Sequence, residues 1–252
     1  MRRVHGAWRW RVEGVFGRSR GVAIGLVTLA LLVMGVWPSA AGEVKKPEQL
    51  VEKARFTLAN FVADRNMDAF RDLIKKAKSV FIMPQLLKGA FFIGGSGGSG
   101  VFLARDERTG TWSEPAFYTL GGVSFGLQAG GQAAEVVLLF MSERGVSAML
   151  GSSFKLGADA SVALGPVGAG VGGETVALSA DIIAFSRAKG LYGGVSLEGS
   201  VVAVREKWNR AYYGKSVTPT DILVHREVRT SKSAGLIQAV TKAASARQAS
   251  RP

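Results

Sequence analysis

The sequence predicts an α+β fold: an N-terminal helical hairpin packed on a strongly curved, glycine-rich, mainly antiparallel β-sheet. Three observations carry that prediction. Leu50, Val51, Ala54, Leu58, Phe61 and Val62 recur at three-to-four spacing, the signature of one helix face. From residue 79 onward the texture changes to short apolar runs broken by glycine. Between Gly89 and Gly214 stand 25 glycines in 126 residues, a density helices do not carry, since each interior glycine costs about 1 kcal/mol relative to alanine. Aromatic and β-branched residues between the glycines argue for a folded sheet rather than low-complexity disorder.

Taken in chain order, the first forty residues read as a secretory signal or membrane anchor. Residues 1–20 carry six arginines against the single acid Glu13, and residues 21–37 carry no charge. Pro38 breaks the segment, and Ser39-Ala40-Ala41-Gly42 offers small residues for cleavage after Ala41 or Gly42. Residues 1–41 are therefore expected to be a signal peptide, or an anchor through 21–37 if cleavage does not occur. The first helix starts near Pro47, a good first-turn residue, and Asn66 is placed to cap a second helix through about Ala77.

Strands are expected within 79–83, 90–93, 101–105, 116–129, 134–141, 154–164, 175–186 and 191–204. Around Val123, Phe125 and Leu127 the alternate positions are glycine, serine or glutamine, so one sheet face is nearly bare and open to close backbone approach or sharp bending. Short helices are predicted at 143–150 behind the capping residue Ser142, at 205–213, and at 219–224 after Thr218-Pro219. Residues 226–252 read as a basic C-terminal tail, extended or loosely helical, which leaves 42–225 as one domain.

Charge and composition narrow the function. The chain carries 32 Lys and Arg against 19 Asp and Glu, a net +13. From residue 42 onward 26 bases face 18 acids, a net +8, and six of those bases lie in the last 27 residues. The domain proper is only mildly basic, and nucleic acid is not an expected partner of an exported chain. No cysteine is present, which excludes disulfides, a thiolate metal site and the N-terminal lipid attachment of bacterial lipoproteins.

Motif matches abound in so glycine-rich a chain, and each fails on context. Gly95-Ser96-Gly97-Gly98-Ser99-Gly100 and Gly168-Ala169-Gly170-Val171-Gly172-Gly173 fit G-x-G-x-x-G, but strand-like runs follow both where a helix N-terminus must hold the pyrophosphate. G-x-S-x-G occurs around Ser96 and Ser124, and His225, with Asp181 or Asp221, is the only base that survives export. Neither serine precedes a predicted helix. Gly214-Lys215-Ser216 lacks the first glycine of a phosphate loop, since Asn209 stands there. After the predicted signal, one histidine and scattered carboxylates suggest no metal cluster. Trp112, Trp208, Tyr212 and Tyr213 read as packing residues rather than membrane anchors.

The order of segments is more specific than any single motif. Phe91-Phe92-Ile93-Gly94-Gly95, Gly98-Ser99-Gly100-Val101, Trp112-Ser113-Glu114-Pro115 and Gly121-Gly122-Val123-Ser124-Phe125-Gly126-Leu127-Gln128-Ala129-Gly130 resemble the SYLF domain family. The resemblance continues through Leu156-Gly157-Ala158-Asp159, Gly165-Pro166, Gly190-Leu191-Tyr192-Gly193-Gly194-Val195-Ser196-Leu197-Glu198-Gly199-Ser200, and Asn209 with Tyr212-Tyr213-Gly214. It covers residues 51–224, and the export signal fits a bacterial exported branch. Members often carry an acidic stretch after the Ser-Leu-Glu-Gly-Ser block, whereas Val204-Arg205-Glu206-Lys207 is mixed here.

The resemblance implies a non-enzymatic module that binds anionic lipid such as phosphoinositides, with actin-filament binding in fungal members. It implies no cofactor and no catalytic residue. Actin binding is not expected of an exported member, which would act at the periplasmic or outer face of a membrane. The lipid-contact residues are then sought among bases that flank the helices. Lys45, Lys46, Lys53 and Arg55 border the first, and Lys75, Lys76 and Lys78 cluster at the end of the second. Two readings of the first helix stay open: its apolar stripe lies in a membrane interface, or it packs on the sheet and leaves the lysines solvated.

Overall fold

The computed structural model describes residues 46–90, 93–125, 130–169, 180–188 and 197–245. The predicted signal (1–41), Lys45 and residues 246–252 lie outside them, as do parts of the 175–186 and 191–204 strand candidates. Helix α1, Lys46–Ala63, buries Pro47, Leu50, Val51, Ala54, Thr57, Leu58 and Phe61, so the expected apolar stripe is a packing face. Helix α2 is shorter than expected, Asp68–Leu73, and its N-cap is Met67, which makes no side-chain cap bond. Asn66 is used otherwise. Its N–H donates to Asp64 Oδ1 at 3.0 Å, and its carbonyl accepts from Gly168 N at 2.9 Å, which ties the helical hairpin to a distant loop. Past Ile74 the chain leaves the helix, and Lys78 N already donates to Phe140 O at 2.9 Å.

Eight strands follow: β1 Ser79–Ala90, β2 Ile93–Ala104, β3 Ala116–Phe125, β4 Gly130–Phe140, β5 Ser153–Lys155, β6 Val162–Leu164, β7 Ile182–Arg187 and β8 Val201–Val204. They form one strongly curled sheet in the order β5-β8-β3-β2-β1-β4-β7-β6. All described pairings between these strands are antiparallel except β6 with β7. The expected strand at 79–83 extends as β1 to Ala90, whereas the one expected at 90–93 is not a separate strand: Ala90 ends β1, Ile93 begins β2, which runs on through the expected 101–105 strand to Ala104, and residues 91 and 92 lie outside the described residues. The 154–164 run instead splits into β5 and β6 around a turn at Gly157, whose φ of 85° favours glycine.

The sheet is covered on both faces. On one side Val80, Ile82, Val101, Leu103, Phe117, Val137, Leu139, Ile183 and Phe185 pack with α1 and α2. On the other, Phe81, Met83, Phe102, Tyr118, Val136, Leu138 and Phe140 pack with Met149, Leu156, Ile222 and Leu223. This explains why 80–83 and 136–140 are apolar without alternation: a strand buried on both faces takes apolar residues at successive positions. Phe102 meets Phe140 edge-on at 5.0 Å on one face, and Phe70 meets Phe185 at 5.3 Å on the other.

Two glycines of β2 have a packing reason. A Cβ at Gly98 would stand 2.4 Å from the carbonyl oxygen of Gln85, and one at Gly100 would stand 2.5 Å from the ring of Phe81. The first lies against a bulge in β1, where pairing slips between Ile82 and Gln85 on the β2 side and between Met83 and Leu86 on the β4 side. Pro84, without an N–H to give a ladder, sits inside that slip.

The short helices are α3 Glu143–Ala148, α4 Glu206–Tyr213 and α5 Pro219–Leu223. Ser142 caps α3 by accepting from Gly145 N, Gly214 ends α4 in the left-handed conformation, and Thr218 with Asp221 forms a capping box on α5. The predicted C-terminal tail needs correction. Residues Ala234–Ser245 form α6, which packs against α1 and buries Leu236, Val240, Ala243 and Ala244. Glu114 holds its start, accepting from Thr230 N at 3.1 Å and from the Ser233 hydroxyl, while Lys232 pairs with Glu48 on α1 at 2.6 Å. The segment reads as basic because its solvent side carries the charges. Its apolar residues recur at helical spacing on the other side. Residues Glu43–Pro252 make one compact unit, and none of the described helices is long and apolar enough to cross a membrane.

Candidate functional site

At the register slip in β1, α1 passes over the strand and a groove of about 530 Å³ lies between them. Lys53, Phe56, Thr57 and Asn60 of α1 form one wall. Pro84 and Gln85 of β1, Ala133 to Glu135 of β4 and Arg187 of β7 form the other. Its polar end is organised around Glu135, which accepts from Thr57 Oγ1 and Asn60 Nδ2 at 3.2 Å each and pairs with Arg187 at 3.5 Å. Arg187 also meets Asp64 at 3.6 Å, so its charge is internally compensated. Lys53 is exposed and has no acidic partner among the described residues.

The other end of the groove is apolar and open. Phe56 is 57% exposed and Leu87 is 53% exposed, large values for residues that normally enter the core. Leu87 stands beside Ala133 in the β1–β4 register, so its side chain borders the wall that Ala133 helps to build. Arg55 lies over the Phe56 ring at 4.3 Å and pairs with Glu52 at 3.1 Å. On the opposite face of the same strand, burial holds the Lys88 ammonium below the usual lysine range.

The basic residues singled out by sequence separate into distinct settings. Lys46 opens α1, half-buried, Lys53 lines the groove, and half-buried Arg55 stands beside it, over the Phe56 ring and against Gly235 of α6. Lys75, Lys76 and Lys78 lie before β1, about 23 Å along the strand from Gln85. Lys75 pairs with Asp72 at 3.2 Å, and Lys78 is held between Glu107 and Glu143, the latter at 2.8 Å. Of these three only Lys76 is an exposed base without a recorded partner among the described residues. The groove's apolar members, Phe56 and Pro84, and Leu87 at its border are not marked by any motif in the sequence. Phe56 carries the one available signal, a large apolar residue off the helical stripe.

The nucleophile-elbow serines are strand residues. Ser96 lies within β2 and donates to Gly122 O at 3.5 Å, and Ser124 lies in β3 opposite Gly94. His225 is turned to two acids, Asp221 and Glu227, at 3.7 Å each. Asp181 is engaged by Ser142 and Ser161, which hold its carboxyl below the ordinary range. The aromatic residues pack as expected: Trp112 and Tyr212 are buried, and Trp208 stacks under Arg205 at 3.6 Å.

Comparison with known proteins gives the family. The family model described as "Ysc84: Las17-binding protein actin regulator" matches residues 121–243, from β3 into α6. An SH3 domain-containing protein of Schizosaccharomyces pombe is 36% identical over 182 residues, 68% of this chain and 42% of that protein. The human SH3 domain-containing YSC84-like protein 1 is 33% identical over 169 residues, 66% of this chain and 48% of that protein. LAS seventeen-binding protein 3 of Saccharomyces cerevisiae is 32% identical over 192 residues, 75% of this chain and 41% of that protein. The chain thus spans less than half the length of these relatives, which are named as binding and SH3-containing proteins rather than as enzymes. With the curled glycine-rich sheet and the matched segments agreeing, the chain belongs to the Ysc84 (SYLF) domain family.

Proposed function

We propose that this chain is a non-enzymatic membrane-surface module that binds anionic lipid through the groove between α1 and the β1 bulge. The observation that carries the reading is exposed Phe56 and, at the groove's border, exposed Leu87 beside the exposed base Lys53, with half-buried Arg55 lying over the Phe56 ring. Apolar side chains enter the headgroup–acyl boundary while the bases remain at the phosphate level, each base contributing about 1 kcal/mol near an anionic surface. The apolar stripe of α1 is core, so contact needs no unfolding of the helix. The signal-like pattern read in residues 1–41 supports a position outside the cytoplasm as part of this proposal, tethered if 21–37 remains as an anchor.

Flotation with vesicles of neutral lipid, and with vesicles that contain phosphatidylserine or a phosphoinositide, tests the reading. Binding is expected only to anionic vesicles and is expected to weaken with salt. Lys53→Glu is expected to reduce it. Equal binding to neutral and anionic vesicles, or none to either, defeats the proposal. The family's description as Las17-binding actin regulators supports a second reading, contact with actin filaments or a Las17-type partner. Co-sedimentation with filamentous actin tests that reading separately.

A further inference from the structure

A cluster of metal-ligand type stands on a surface that the lipid reading does not use. Asp221 closes the first turn of α5, His225 follows its end, and Glu227 lies two residues further on. One donor atom from each lies within 4.8 Å of the others, and His225 Nδ1 is 3.7 Å from both Asp221 Oδ1 and Glu227 Oε1. Ligands around a tetrahedral Zn²⁺ at ordinary bond lengths stand about 3.4 Å apart. The two histidine–carboxylate separations are within a few tenths of an ångström of that spacing, and the two carboxylates, within 4.8 Å of each other, close on an ion by side-chain rotation at the surface.

The surrounding chain presents the three donors together. Arg226 has φ 57°, the one positive φ among described non-glycine residues, and the turn it makes brings Glu227 back so that its N–H donates to Asp221 O at 2.9 Å. The Arg226 guanidinium is drawn away to Thr111 Oγ1 at 2.8 Å and Thr111 O at 3.1 Å. Lys215 is the nearby cation, and it donates to the main-chain carbonyl of Glu227 at 3.3 Å. Asp221 divides its oxygens: Oδ2 accepts from Thr218 N and Oγ1 at 2.8 and 2.7 Å, which leaves Oδ1 toward His225. Ligating carboxylates are held in place by outer hydrogen bonds, and the Thr218 contacts to Oδ2 supply them for Asp221.

We propose that Asp221, His225 and Glu227 form a surface site for one borderline divalent cation of the Zn²⁺ type, completed by solvent. Such an ion would join the end of α5 to the segment that leads into α6. An imidazole nitrogen with two carboxylates selects zinc-like ions over Ca²⁺ and Mg²⁺, which take all-oxygen sets.

The test is a titration of tag-free full-length protein with ZnCl₂ in competition with a chromophoric chelator, alongside visible absorption of the Co²⁺-loaded protein. Saturable uptake of one Zn²⁺ per chain is expected, with a rise in Tm and no competition from millimolar-range Ca²⁺ or Mg²⁺. His225→Ala is expected to abolish uptake, and Glu227→Gln to weaken it at least tenfold. Glu227 is chosen over Asp221 because its side chain caps no helix. Metal-free Tm values of both variants, expected to match the parent, separate loss of ligands from loss of fold. No uptake by the parent chain, or uptake unchanged in both variants, overturns the proposal and leaves a histidine–carboxylate ion pair in its place.

Discussion

Replacing Phe56 and Leu87 together by serine removes the apolar end of the groove while leaving its bases and the core untouched. Full burial of a large apolar side chain is favourable by about 1.5–3 kcal/mol. Only the area now exposed can be gained on membrane contact, 57% for Phe56 and 53% for Leu87. Scaling values of about 2.5 and about 2 kcal/mol by those fractions gives about 1.4 and about 1.1 kcal/mol. The double variant is therefore expected to partition about 60-fold more weakly into anionic vesicles, each decade corresponding to about 1.4 kcal/mol. Folding stability is expected to change by less than about 0.5 kcal/mol, since neither residue belongs to the core. Vesicle sedimentation across lipid concentration, with urea unfolding as the control, measures both quantities. The residual binding should keep its salt dependence, because Lys53 and Arg55 remain. A double variant that partitions like the parent chain refutes the assignment of this groove.

Lys78→Glu should lower stability by about 1–2 kcal/mol in urea unfolding by setting a third carboxylate against Glu107 and Glu143, with vesicle binding by the folded fraction unchanged. Leu236→Ala should cost about 3 kcal/mol, because Leu236 is fully buried under α1; a cost under about 0.5 kcal/mol would restore the view of 226–252 as a tail. Gly98→Ala should destabilise by about 1–3 kcal/mol, as its methyl would collide with the Gln85 carbonyl at the bulge, whereas Gly199→Ser should be strained only by its φ of 78°. The Asp181 carboxyl is held below its ordinary value of 3.8, first by the Ser142 hydroxyl. Its contribution is therefore complete above that value and lost as pH falls through the lower folded pKa, so Asp181→Asn should narrow the difference in urea midpoint between about pH 6 and about pH 3.

Much of this architecture is legible in residue order, because the responsible interactions are local. The stripe from Leu50 to Phe61 and the caps at Ser142 and Thr218 follow from spacing and from side chains that bond their own backbone neighbours. Gly214 ends α4 for the same kind of reason. The glycine density also pointed correctly to closely approaching strands, with Gly98 and Gly100 showing what approaches. Asn66 shows the limit of local reading. Its capping role was lost because a loop a hundred residues away takes its carbonyl.

What only the tertiary structure decided depends on contacts between segments far apart in the chain. The basic last segment is core on one side because α1 and Glu114 receive it, a match that no property of 226–252 announces. Lys75 and Lys78 look like a free basic cluster until Asp72, Glu107 and Glu143 are placed beside them. The groove exists because a bulge at Pro84 falls beneath Phe56, two features 28 residues apart, and the Asp221–His225–Glu227 cluster exists because Arg226 turns the chain back. By itself, then, the sequence determined the fold class, the family resemblance and the helix ends, which rest on periodicity and local hydrogen bonding. Which charges are spent, which apolar residues face solvent and which ligand-type atoms meet were decided by long-range packing, because burial and pairing belong to the assembled chain.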